Sequence, residues 1–155
     1  LMIYAAMNLG AFAVLIAVAR RTKSAEISSY AGLFQTSPGL ALTMTIFLAS
    51  LAGIPPLAGW YAKFVMFRAI IEAGSFWGVA LAVVAALNSV IAFFYYSGVI
   101  RQRWFLDPIA DDHRVINVPP ALGASIALTT ATVVAVGVYP QLFARVGDLA
   151  TRFLS

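Results

Sequence analysis

The chain has 155 residues, 62% hydrophobic and only 10% charged, with ten Lys/Arg against six Asp/Glu, a formal net charge of +4 and no Cys. Soluble domains are about half apolar and about a quarter charged, so this balance excludes an ordinary soluble enzyme and a disordered chain alike. The basic excess lies in small clusters at the ends of apolar runs, which argues against nucleic acid as a partner, and the lack of Cys excludes disulfides, thiolate metal sites and cysteine nucleophiles. An integral membrane protein of all-α class remains, a polytopic bundle with the lipid bilayer as its solvent.

The chain opens at Leu1 directly on an apolar stretch, without the basic start, short apolar core and small-residue cleavage site of a signal peptide. It is therefore expected to be a fragment of a longer subunit. A transmembrane helix needs about 20 mostly apolar residues, and residues 1–19 supply the first, with Asn8 its one strongly polar side chain. It stops at Arg20-Arg21-Thr22-Lys23, a cluster that enters hydrocarbon only at high cost. Residues 24–37 are small and polar, and Ser37-Pro38 is a natural helix start.

Residues 38–72 are apolar but interrupted at Gly53-Ile54-Pro55-Pro56. Two helices joined by a tight turn, or one crossing broken in its middle, would both fit this pattern. Each half is too short for the roughly 20 residues of a span, whereas together they make about 50 Å of helix, enough for one crossing with overhang. The next spans are expected at 76–100, ending at Arg101-Gln102-Arg103, and at 119–143.

Charge counting favours the broken crossing. It places loops 20–37 and 101–118 on one side with Arg20, Arg21, Lys23, Arg101, Arg103 and Arg114, and leaves Arg68, Arg145 and Arg152 on the other. The positive-inside rule then makes both basic loops cytoplasmic and the C-terminus external. About four crossings result, with Phe76, Trp77, Tyr95, Tyr96 and Trp104 near span ends and residues 144–155 as an interfacial tail.

The chemistry concentrates in residues 50–67, SLAGIPPLAGWYAKFVMF. Pro55 and Pro56 cannot continue a helix, and Gly53 and Gly59 permit sharp angles and close approach. Unpaired backbone groups at membrane depth persist only against protein or a hydrated cavity, and such breaks recur at ion-transport sites. The plain alternative is a kink that shapes packing. Lys63 lies about two turns after Pro55 on the face of Gly59 and Phe67. An ammonium at the centre of a span costs about 2.5–3.5 kcal/mol on insertion scales, so ionisable groups there are functional by default; the competing reading is a side chain snorkelling to the interface.

Arg68 and Glu72, spaced i,i+4, suit a salt bridge at the helix end, with a proton exit as the less economical reading. Asn8 and Asn88 fit interhelical hydrogen bonding, Asn88 on an Ala-rich helix beside the break. Tyr61 is a candidate to line a hydrated path, but packing is the favoured reading. His113, in an acidic loop with Asp107, Asp111 and Asp112, is a weak metal candidate, and no phosphate loop or hydrolytic constellation is present.

The segments AAMNLGAFAVLIAV, YAGLFQTSPGLALTMTIFLASLAGIPPLAGWYAKFVMFRAIIEAG and LNSVIAFFYYSGVI, taken in order, resemble the C-terminal region of subunit N in the family of proton-translocating NADH–quinone oxidoreductases (respiratory complex I). The resemblance runs from about Tyr4 to Trp104; the remainder fits by hydropathy and position. The LAGIPPLAG-xxx-K pattern is shared with subunits of multisubunit cation/proton antiporters, while the Lys63-Phe64 pair and the LNSV stretch favour subunit N. Trp60 stands where Phe is expected.

The resemblance implies an antiporter-like fold of two inverted repeats, of which this chain would hold part of the second, and a chain of Lys, Glu and water along the membrane midplane. Lys63 takes the position of the broken-helix lysine that passes protons, beside Gly53, Ile54, Pro55, Pro56 and Gly59. No cofactor is expected in this chain: NADH, FMN, iron–sulfur clusters and quinone would belong to partner subunits, and the partners would be other membrane subunits of complex I. A bacterial plasma membrane or another energy-coupling membrane is the expected location. A sodium or potassium/proton antiporter subunit is the first alternative, and a structural packing segment without ion transport the second.

Overall fold

The computed structural model describes residues 2–22, 32–105 and 116–141, and among these all regular structure is helical. The helices are α1 (Met2–Thr22), α2 (Leu33–Thr36), α3 (Pro38–Ala52), α4 (Ala58–Glu72), α5 (Phe76–Phe105) and α6 (Pro120–Val138). α1, α5 and α6 are long and apolar enough to cross a membrane, and α3 is a shorter apolar helix. With 15 residues each, α3 and α4 rise about 22 Å apiece, short of a hydrocarbon core of about 30 Å.

α1 and α3 run antiparallel in close contact. The Phe47 ring, fully buried, lies where a Cβ on Gly10 would stand, so only a glycine lets the helices meet at this height. Met7 reaches Ser50 one turn away in the opposite sense. Val14, Val18, Leu40, Ala41 and Met44 continue the core along the same seam, and Ile126, Val133 and Val136 of α6 join it. Close packing of this kind, through small residues, is how helices associate where lipid removes the ordinary hydrophobic drive.

α5 decides between the two arrangements of α3 and α4. It starts beside the end of α4, where Gly78 lies against Ile70. It ends beside the first half of α3, where Trp104 donates from Nε1 to Thr45 Oγ1 at 2.9 Å, and beside α2, where it stacks on Phe34 with centroids 4.3 Å apart. A hairpin would bring the end of α4 back to the start of α3; here the length of α5 separates them. α3 and α4 therefore form one interrupted helix, and with α1, α5 and α6 they make a four-crossing bundle with one broken member.

The same anchors collect four chain segments at one end of the bundle. Ser37 does not cap α3 with its hydroxyl as a Ser-Pro start suggests; its Oγ accepts the Ile116 amide at 3.0 Å and ties the approach to α6 to the start of α3. The end of α1, paired with the start of α3, and the end of α5 lie there too.

Two helix ends differ from the expected span limits. α5 continues past Ile100 to Phe105, because Arg and Gln are good helix formers and Trp104 is held by Phe34 and Thr45. α6 stops at Val138, short of residue 143, because Pro140 moves Tyr139 out of helical geometry, to φ −124° and ψ 67°. The residues 24–31, the acidic loop with His113, and the tail 144–155 lie outside the described residues.

Candidate functional site at the helix break

The last turn of α3 closes in a regular way. Gly53 adopts φ +91° and ψ 32°, its amide reaching Ala49 O (3.1 Å) and Ser50 O (2.9 Å), and the Ile54 amide also reaches Ala49 O at 3.0 Å. This is the glycine-terminated C-cap in which two amides return to the last carbonyls, followed here by proline, which cannot extend the helix. Pro55 and Pro56 are joined by a cis peptide bond, and the Leu57 amide returns to Ile54 O at 3.1 Å. The Ala52 carbonyl is left for a side chain to satisfy.

That side chain is Lys63. Its Nζ donates to Ala52 O at 2.9 Å, and its aliphatic stem lies over Gly53, where an added Cβ would stand 3.0 Å from Cδ and 3.2 Å from Nζ. Lys63 is half-buried. The carboxyl end of a helix carries about half a negative charge, which favours a cation placed against its last carbonyls. Glu72 is the one carboxylate among the described residues and is bound to Arg68. Among the described residues the Lys63 ammonium is thus held by a backbone dipole and not by an ion pair.

The opposite half of the break is capped in return. α4 begins after Leu57 without a side-chain cap from its own N-cap residue. Its Gly59 amide instead donates to Ser50 Oγ at 2.9 Å, and the Ser50 hydroxyl donates to Met7 Sδ at 2.9 Å. Ser50 is fully buried. Gly59 is obligatory at this contact, because a Cβ there would overlap the Ser50 carbonyl oxygen. Gly137 does the same for α6, where a Cβ would overlap Pro56 O and stand 2.6 Å from Leu57 Cα. Each half of the broken helix therefore caps the other, Ser50 serving the amino end of α4 and Lys63 the carboxyl end of α3.

The depth of this arrangement follows from the anchors on α5. About 10 Å of rise separates Thr45 from Ala52, and about 10 Å separates Lys63 from Ile70. Lys63 consequently lies about midway between the two contacts that α5 makes with the interrupted helix.

The structure brings together Gly53, Ile54, Pro55, Pro56, Gly59 and Lys63. The accessory candidates lie apart. Arg68 Nε and Glu72 Oε1 form a 2.7 Å ion pair with side chains 68% and 61% exposed, an ordinary helix-surface pair that contributes little to stability. Arg68 is about 140° around the helix from Lys63. Tyr61 is half-buried and makes no hydrogen bond to a described residue. Asn88 is exposed on α5 and does not pack beside the break, whereas Ala82, Ala85 and Ser89 are half-buried on the other face. Asn8 bonds back to Tyr4 O at 2.8 Å within α1. Among the described residues no group of three or more His, Cys, Asp or Glu converges to hold a metal.

Sequence reasoning passed over Ser50, Met7 and Gly137. Ser50 opened the segment singled out above, but a single serine in an apolar run most often bonds to its own helix, and only the fold brings Met7 to it. Gly137 carried no local signal, since it lies inside a regular helix.

Comparison with known proteins places these features in a family. Residues 1–91 match the model of the NADH:quinone oxidoreductase/Mrp antiporter transmembrane family. Over 153 residues the chain is 42% identical to NADH-quinone oxidoreductase subunit N of Heliobacterium modesticaldum, covering 99% of the chain and 31% of that protein. It is 36% identical over 147 residues to subunit N 1 of Koribacter versatilis (94% and 28%) and 39% identical over 149 residues to subunit N 2 of Rhizobium meliloti (96% and 30%). The chain thus spans about a third of the length of these relatives, and the similarity continues past Trp104, where the motifs alone had ended. With the family model matched over residues 1–91 of an all-helical, membrane-spanning chain, the chain belongs to the NADH:quinone oxidoreductase/Mrp antiporter transmembrane family.

Proposed function

We propose that the chain forms part of a proton-translocating membrane subunit of an NADH–quinone oxidoreductase, in which Lys63 carries the proton at the helix break. The observation that carries this reading is the Lys63 ammonium at the helix break, bound to the Ala52 carbonyl with no carboxylate partner among the described residues. A cation neutralised by a neighbouring carboxylate would be a fixed structural pair. One held only by a backbone dipole can lose its proton without leaving a buried anion uncompensated. The neutral amine still has N–H groups to offer Ala52 O, so the site keeps its shape in both states.

In this reading the uptake and release of the proton are driven from elsewhere in the complex. NADH, FMN, iron–sulfur clusters and quinone are assigned to partner subunits, and the other membrane subunits are the direct neighbours. The relatives named as NADH-quinone oxidoreductase subunit N support this choice. Loops 20–37 and 101–118 are assigned to the cytoplasmic face of a plasma membrane and the C-terminus to the outer face, supported by the clustering of Ser37, Ile116 and Trp104 at one end of the bundle.

Lys63→Met in the complete, assembled complex tests the proposal. The expected result is a lower number of protons moved per electron in inverted membrane vesicles, with the complex present at its usual level. An unchanged ratio removes Lys63 from the proton path. The family description also names Mrp antiporters, which supports a second reading as a cation/proton antiporter subunit; transport that requires sodium or potassium would select it.

A further inference from the structure

We infer that Ser50 is a positioning residue for Lys63: its hydroxyl locks the first turn of α4 to the last turn of α3 and so sets the register at which the lysine meets the Ala52 carbonyl. This rests on the proton-carrying reading of Lys63.

The behaviour of the other hydroxyls makes Ser50 distinctive. Thr43, Thr45, Ser89, Ser97, Thr129, Thr130 and Thr132 all donate to carbonyls three or four residues earlier in their own helices. That back-bonding is the usual fate of Ser and Thr inside helices. Ser50, fully buried, forgoes it; its hydroxyl donates to Met7 Sδ and accepts the Gly59 amide, both at 2.9 Å. The hydroxyl thus joins three helices at one point.

The geometry links that point to the lysine. Gly59 and Lys63 are spaced i,i+4 and share a face of α4; Ser50 and Ala52 lie in the last turn of α3. Two hydrogen bonds therefore bridge the break one turn apart, Gly59 N to Ser50 Oγ and Lys63 Nζ to Ala52 O. The second involves a long side chain with many rotamers, which cannot by itself hold two helices in register. The first joins a backbone amide to a short side chain with a single rotatable carbon–carbon bond, and Gly59 allows no slack because its backbone already touches the Ser50 carbonyl. Without the Ser50 hydroxyl the Gly59 amide loses its acceptor, and the start of α4 can shift from its register against α3. Lys63, one turn further on, moves with it.

The experiment uses the complete subunit in its assembled membrane complex, with Ser50→Ala, Ser50→Cys, Ser50→Thr and Lys63→Met compared in inverted vesicles. Protons moved per electron are measured at matched amounts of complex. Ser50→Ala is expected to lower the ratio in the same direction as Lys63→Met, by a part of the loss that Lys63→Met gives. At least one of Ser50→Cys and Ser50→Thr, which return a polar atom to the γ position, is expected to recover most of it. A wild-type ratio in Ser50→Ala together with a low ratio in Lys63→Met overturns the positioning role alone. A wild-type ratio in Lys63→Met overturns the reading on which it rests. A loss in Ser50→Ala that neither conservative variant recovers, or failure of all three Ser50 variants to assemble, assigns the residue to packing and overturns the inference.

Discussion

The break in the interrupted helix and the continuous helix α5 lie side by side, and their serine hydroxyls behave in opposite ways. On α5, Ser89 donates to Ala85 O and Ser97 to Phe93 O, so each hydroxyl stays within its own helix. At the break, Ser50 and Lys63 both bond across a helix boundary. The difference lies in the backbone. An unbroken helix satisfies its own carbonyls and amides, leaving side chains nothing but a shared acceptor, whereas a break exposes orphan groups at both new ends. In a medium without water those groups must find partners within the protein, and the serine and lysine are the partners.

Substitutions at the two regions should therefore differ in scale. The largest effect is expected for Gly59→Val, which places a Cβ on the Ser50 carbonyl oxygen. Overpacking against backbone costs about 3 kcal/mol or more, and the subunit should be nearly lost from the membrane on immunoblotting. Normal accumulation would mean that the overlap of α3 and α4 is loose.

Gly53→Ala is intermediate. A Cβ residue in left-handed geometry costs about 1–2 kcal/mol, and this one would crowd Lys63 Cδ at 3.0 Å. The complex should assemble with a lower thermal midpoint and translocate fewer protons per electron; full coupling would show that the lysine stem tolerates displacement. The smallest effect belongs to the continuous helices: Ser97→Ala and Thr129→Val remove hydroxyls that only share a carbonyl with the helix amide. Changes within about 0.5 kcal/mol are expected, read as an unaltered thermal midpoint. A large shift at either site would erase the contrast with the break.

Much of the break is legible in the chain itself. Gly53 followed by Ile54 and two prolines is a C-cap with a stop signal, and the structure has that cap. The spacing of Gly59 and Lys63 places both on one face. What sequence leaves out is the partner of each group. Ser50 is indistinguishable from Thr43 or Thr45 until the fold brings Met7 to it across 43 positions. Asn88 illustrates the converse: its Ala-rich surroundings suggest packing beside the break, yet a helix has two faces, and nothing local says which of them the Ala residues take. The end of α6 was legible in principle, since Pro140 restricts the residue before it, but hydropathy runs on beyond that point and masks the stop.

The placement of α5 has a mechanical consequence for the break beside it. Contact with Ile70 below and with Thr45 above fastens one uninterrupted rod across the gap, as a splint spans a fracture. Splinted, the two halves resist bending, which leaves rotation about and sliding along the axis of α4 as the displacements that the Ser50–Gly59 hydrogen bond has to oppose.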